Sequence, residues 1–163
     1  MDNLIQRAKE KDADAFAVLM QGQMQSMYKT AWAVLGNDED VADVIQETIL
    51  TCYEKMEQLK TDNYFHTWLI RILVNKCNDI LRKRSRMHLL EEPPEIPVME
   101  EAYENAEWKE VLRALDEKYR VTVLLYYVEG FSTVDISKIL GVSESAVRSR
   151  LSRARKQLGR ELE

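Results

Sequence analysis

The chain has 163 residues, 45% of them hydrophobic and 31% charged, and a net charge of −5. That length permits one or two small domains with real cores, and the few glycines, prolines and β-turn dipeptides favour a mostly helical chain. No run of about 18 apolar residues exists to insert in a membrane. The opening Met1-Asp2-Asn3-Leu4 lacks the regions of a signal peptide, so a cytoplasmic location is expected.

Other chemistry is sparse. Cys52 and Cys77 are far apart in sequence and read as reduced core thiols. His66 and His88 are not at ligand spacing with each other or with a cysteine, so neither a metal nor another cofactor is expected. A GxxxxGK loop and a zinc-ligand set are missing, which argues against an enzyme. Asp38, Asp40 and Asp43 are the nearest thing to a carboxylate cluster, and a helix N-terminus accounts for them.

The segment DEDVADVIQETILTCYEKMEQL follows Gly36 and predicts a helix. Val41, Val44, Ile45, Thr48, Cys52 and Met56 trace its core face, with Asp40, Asp43, Gln46, Glu47 and Glu54 off it. Next, NYFHTWLIRILVNKCNDILRKRSR predicts a long helix with aromatics at its start and a core stripe of Leu69, Ile72, Leu73 and Ile80. Arg71, Lys76, Arg82, Lys83, Arg84 and Arg86, with Asn75 and Asn78, make a surface suited to nucleic acid. Trp68 reads as core, whereas Tyr64 is open to either a core or a base-stacking role.

Residues 89–106 hold six acids, no base and all three prolines. This composition predicts a stiff, self-repelling linker. It parts two units, net −1 before it and +2 after it. The boundaries read as 1–88, a linker over 89–104, and 105–163.

In the second unit Trp108, Val111, Leu112 and Leu115 predict one apolar helix face, and RVTVLLYYVEG a buried helix despite its β-branched content. Ser132 then predicts a cap, Ile136, Ile139 and Leu140 a short helix, and Gly141 its stop. Ser143 caps a last helix with a core stripe of Val147, Leu151, Ala154 and Leu158. From Ser143 to Arg160 its other face is basic: Arg148, Arg150, Arg153, Arg155, Lys156 and Arg160 against the single acid Glu144. Helix, glycine turn and basic helix together describe a helix-turn-helix. Ser145, Arg148, Ser149 and Ser152 would reach base edges, with the later basic residues on phosphates.

The fold class is therefore all-α: two small helical domains joined by an acidic, proline-containing linker, the second a helix-turn-helix. Two nucleic-acid surfaces on two units suggest two separated sites on one DNA.

The motifs DEDVA-DVIQETIL, FHTWLIRILVNKCNDILRKR and YYVEGFSTVDISKILGVSESAVRSRLSRARKQL, in this order around an acidic linker, resemble the extracytoplasmic-function (group IV) sigma factors of bacterial RNA polymerase. The resemblance covers nearly the whole chain and implies a transcription initiation factor. It implies that Asp43, Gln46 and Glu47, with Ile49 and Tyr53 on later turns, dock on core RNA polymerase. It assigns Asn63, Tyr64, Phe65 and Arg71 to capture of the minus-ten element, and Asn75, Asn78 and Arg82 to tracking it. It assigns Ser145, Arg148, Ser149, Ser152, Arg153 and Lys156 to the minus-thirty-five element of promoter DNA. The linker would thread the polymerase channels, and an anti-sigma factor would mask both domains. One departure is Leu115-Asp116 where many members carry Leu-Pro, which predicts a different helix cap. The rival reading is a free-standing helix-turn-helix regulator, which would need a dimerisation element that the sequence does not display.

Overall fold

The structure, a computed structural model, describes residues 2–88 and 106–162. Among them every regular element is helical. The linker expected over 89–104 lies outside the described residues.

The first unit holds α1 (Asp2–Lys9), α2 (Ala13–Leu35), α3 (Asp38–Lys55) and α4 (Phe65–His88). Local chemistry sets the ends. The Asp12 carboxylate accepts from the backbone N–H groups of Asp14 and Ala15 at the start of α2. Gly36, at φ 76°, ends that helix and donates its N–H to the Trp32 carbonyl. Asn37 caps α3 through Asp40 N–H at 2.9 Å, and three acids fill the first turn, where the helix dipole favours them. α2, α3 and α4 pack pairwise. Met27, Ala31, Val44, Thr48, Cys52, Leu69, Leu73 and Cys77 are wholly buried between them. The α3 stripe expected from Val41 to Met56 is this core, while Ile72 and Ile80 of the α4 stripe are half-buried at its margin.

The second unit holds α5 (Ala106–Arg113), α6 (Glu117–Val123), α7 (Thr133–Leu140) and α8 (Glu144–Leu162). α6 continues into a π-helical turn, Leu124–Val128, closed by the Glu129 N–H on the Leu124 carbonyl. The apolar run expected as a buried helix is thus helical, but the wide turn leaves Tyr127 and Val128 half exposed. Val111, expected on the core face of α5, is also exposed, whereas Leu112 and Leu115 are buried. Asp116 precedes α6 without capping it. Its carboxylate accepts instead from Gln157 Nε2, and its N–H donates to Gln157 Oε1, tying the turn to α8. Ser132 caps α7, Gly141 at φ 69° stops it, and Ser143 accepts from Ala146 N–H to start α8.

The two units pack together. α7 lies on α4, α6 lies on α2, and one continuous core runs through both.

Candidate functional site

Three surfaces collect the residues singled out in the sequence. The first is the outer face of α3. Asp43, Gln46 and Glu47 are exposed there, opposite the buried stripe. Tyr53 is partly exposed, its ring edge-on to Phe16 at 5.1 Å with the Lys11 ammonium 4.7 Å above it. Ile49 turns toward the core and packs against it. The aliphatic group on the acidic face is Leu50, 60% exposed. Sequence reasoning passed over it, although it lies seven residues from Asp43 and four from Gln46, on the same helical stripe.

The second surface runs along α4. Arg71, Asn75, Asn78, Arg82 and Ser85 follow one another at helical spacing and are exposed. Asn75, Asn78, Leu81, Arg82 and Ser85 line a shallow groove. Amide side chains offer both donors and acceptors there, and Arg82 is held along the helix by Asp79. Arg84 pairs with Asp40 of α3, which orients the basic end. Asn63 is exposed and Tyr64 half-buried in the turn before α4. Phe65 corrects the expectation of a base contact: it is 1% exposed, its ring beside Trp68. As the first residue of α4 it anchors the turn from within.

The third surface is α8. Ser145, Arg148, Ser149, Ser152, Arg153 and Lys156 are all exposed, while Val147, Leu151 and Ala154 are buried. Glu144 joins the two helices of the motif, accepting from Thr133 Oγ1 at 2.9 Å and pairing with Arg148 at 2.9 Å. Arg155 donates to the Tyr127 hydroxyl at 2.6 Å, so the π-helical turn braces the basic helix.

Both thiols are free and buried, and burial pushes each up to about 12, which keeps them protonated and inert. Among the described residues no cluster of histidine, cysteine or carboxylate side chains could hold a metal ion, and no helix is long and apolar enough to cross a membrane.

Known proteins bear on the same surfaces. The family model for Sigma-70 region 2 matches residues 20–87, which carry α3 and α4, and that for Sigma-70 region 4 matches residues 106–158, which carry the helix-turn-helix. The chain is 27% identical to the ECF RNA polymerase sigma factor SigW of Bacillus subtilis (strain 168), over 97% of this chain and 94% of that one. It is 30% identical to the RNA polymerase sigma factor NccH of Alcaligenes xylosoxydans xylosoxydans, over 95% of this chain and 90% of that one. A solved structure of CnrH in complex with the cytosolic domain of CnrY is similar at a TM-score of 0.71 and 27% identity, covering 98% of this chain and 94% of CnrH.

Proposed function

The chain belongs to the ECF sigma factors of the sigma-70 family, and from that premise we propose how its surfaces divide the work of transcription initiation. A sigma factor binds core RNA polymerase and directs it to promoters. The α3 face, with Asp43, Gln46, Glu47, Leu50 and Tyr53, docks on core polymerase, and Ile49 supports it from beneath. Asn63 and Tyr64 with Arg71, Asn75, Asn78 and Arg82 engage the minus-ten element. Ser145, Arg148, Ser149, Ser152, Arg153 and Lys156 read the minus-thirty-five element in the major groove. The chain falls in the group IV class, its acidic segment 89–104 running through the polymerase channels.

The observation that carries this division is the sorting of exposed charge. The outer face of α3 is acidic and carries a bare leucine, whereas α8 and the end of α4 are basic. A chain of net charge −5 is a poor binder of duplex DNA alone, since non-specific affinity comes from phosphate neutralisation. Polymerase supplies that term, and the factor supplies sequence readout. Opening the duplex costs about 1–2 kcal/mol per base step. A base received beside Tyr64 offsets part of that cost.

Control by an anti-sigma factor belongs to the same reading. The solved CnrH chain, similar over nearly its whole length, was captured with the cytosolic domain of a partner.

The test is run-off transcription from a promoter library with purified core polymerase. Defined start sites that disappear when Gln46 and Glu47 are changed to alanine are expected. Tight, specific duplex binding by the protein alone, without polymerase association, would establish the free-standing regulator instead.

A further inference from the structure

Among the described residues, four adopt the left-handed backbone region. Three are glycines: Gly36, Gly130 and Gly141. The fourth is Lys11, at φ 65°. A Cβ in that region is crowded against the neighbouring carbonyl, so residues other than glycine, asparagine and aspartate seldom take it. What the Lys11 ammonium reaches supplies a reason for the exception.

We propose that Lys11 is a positioning residue for polymerase docking: its strained backbone aims the ammonium that fixes the Tyr53 ring at the edge of the α3 face. The proposal rests on the assignment of that face to core RNA polymerase.

The turn around Lys11 is fixed from both sides. The Lys11 N–H donates to the Ala8 carbonyl at 3.1 Å, and the Asp12 N–H donates to the Arg7 carbonyl at 3.0 Å. This pair of bonds ends a helix on a left-handed residue, a place that glycine usually takes. Asp12 then caps α2, and its carboxylate also accepts from Arg7 Nε at 2.9 Å. Only residues 10–12 join α1 to α2. Relaxing φ at Lys11 would therefore disturb the end of α1 and the start of α2 together. Strain held in this way by its surroundings concentrates at functional sites.

The side chain leaves the turn toward α3. Its Nζ donates to the Tyr53 carbonyl at 2.8 Å, and lies 4.7 Å from the centre of the Tyr53 ring and 3.9 Å from the Glu57 carboxylate. Tyr53 belongs to the last turn of α3, where carbonyls lack intrahelical donors and the helix dipole favours a cation. The ring meets the Phe16 edge at 5.1 Å as well as the ammonium. Phe16 is buried, while Tyr53 is 36% exposed and keeps surface for a partner to cover. The Lys11 and Glu57 side chains are 40% and 68% exposed, and an ion pair this open adds little to stability. Stability alone thus gives little return for a lysine in a left-handed position. Orientation of a ring for binding does, because an aromatic already held in place loses less freedom when a partner covers it.

Titration of the labelled full chain with core polymerase, beside thermal unfolding, tests this. Lys11→Gly removes the strain together with the ammonium. Its melting temperature should hold level or rise by about 2–4 °C, while its affinity for core polymerase falls by about fivefold. Lys11→Arg keeps a cation over the ring and should bind within about twofold of wild type. On a Tyr53→Ala background, Lys11→Gly should change affinity no further. Fluorine NMR on protein carrying 3-fluorotyrosine watches the ring directly, with Tyr53→Phe identifying its signal, and Lys11→Gly should shift that signal. Unchanged affinity for Lys11→Gly while Tyr53→Ala binds weakly overturns the proposal. So does a loss that persists without Tyr53, which would mean that Lys11 touches polymerase itself. A melting temperature that falls in step with affinity reduces Lys11 to a structural role and overturns it too. If Tyr53→Ala binds polymerase as wild type does, the docking assignment of Tyr53 is what fails, and the fluorine signal still decides whether Lys11 holds the ring.

Discussion

Leu50 offers the sharpest test of the docking face. Complete burial of a leucine side chain is worth about 1.5–3 kcal/mol. Leu50 is 60% exposed, so a partner that covers the remainder gains about 0.9–1.8 kcal/mol from it. Losing this contribution should weaken the complex with core polymerase by about 4- to 20-fold. The Leu50→Ala substitution removes most of that area and touches no core contact, so the free protein should keep its stability within about 0.5 kcal/mol. Ile49 is the matched control, because it packs on the core. Ile49→Ala should lower the melting temperature, an effect that Leu50→Ala lacks. Affinity is read by titrating labelled protein with core polymerase, and stability by thermal unfolding in parallel. Unchanged affinity for Leu50→Ala with normal folding would refute the assignment of polymerase to this face of α3.

Three further outcomes are expected. Cys52 and Cys77, with thiols pushed up to about 12 by burial, should resist alkylation in the native protein and react only on unfolding; rapid labelling at neutral pH would show that the core opens readily. Thr122 Oγ1 is buried with no hydrogen-bond partner among the described residues. Its replacement by valine should stabilise the protein by about 1 kcal/mol, raising the melting temperature by about 2–4 °C; a lower value would mean the hydroxyl is satisfied. Burial lowers the pKa of His66 from its ordinary 6.5, against the opposing pull of Glu129. The unfolded chain then binds more protons between the two values, so stability is full above about 6.5 and falls as the pH drops through that window. His66→Gln should flatten this part of the profile, and a wild-type profile parallel to that of the variant would contradict it.

Local signals made most of the architecture legible. The periodicity from Val41 to Met56 predicted the buried face of α3, and Ser132, Gly141 and Ser143 predicted the helix-turn-helix limits now seen as caps. The exposed face of α8 followed from the same spacing. Three features escaped because they depend on tertiary context. The resemblance assigned Phe65 to minus-ten capture, and only packing against the core shows that its ring points inward. Leu50 lay on the right stripe, yet an aliphatic residue in a helix reads as core until its exposure is known. The seam between the two units was not readable at all. Lys109 is 81 residues from Tyr28, and no local pattern announces that a lysine on α5 will meet aromatics on α2. His66 and Glu129 likewise sit in unrelated motifs.

Two surfaces of one chain are proposed to read two promoter elements for polymerase. The most direct test sequences the starts selected from a promoter library by wild type, Asn78→Ala and Arg153→Ala holoenzymes. Loss of a good base contact is worth about 1–3 kcal/mol of discrimination. Arg153→Ala should relax preference only in the upstream element and Asn78→Ala only in the downstream one. Both variants altering the same element, or neither changing the selected sequences, would contradict it.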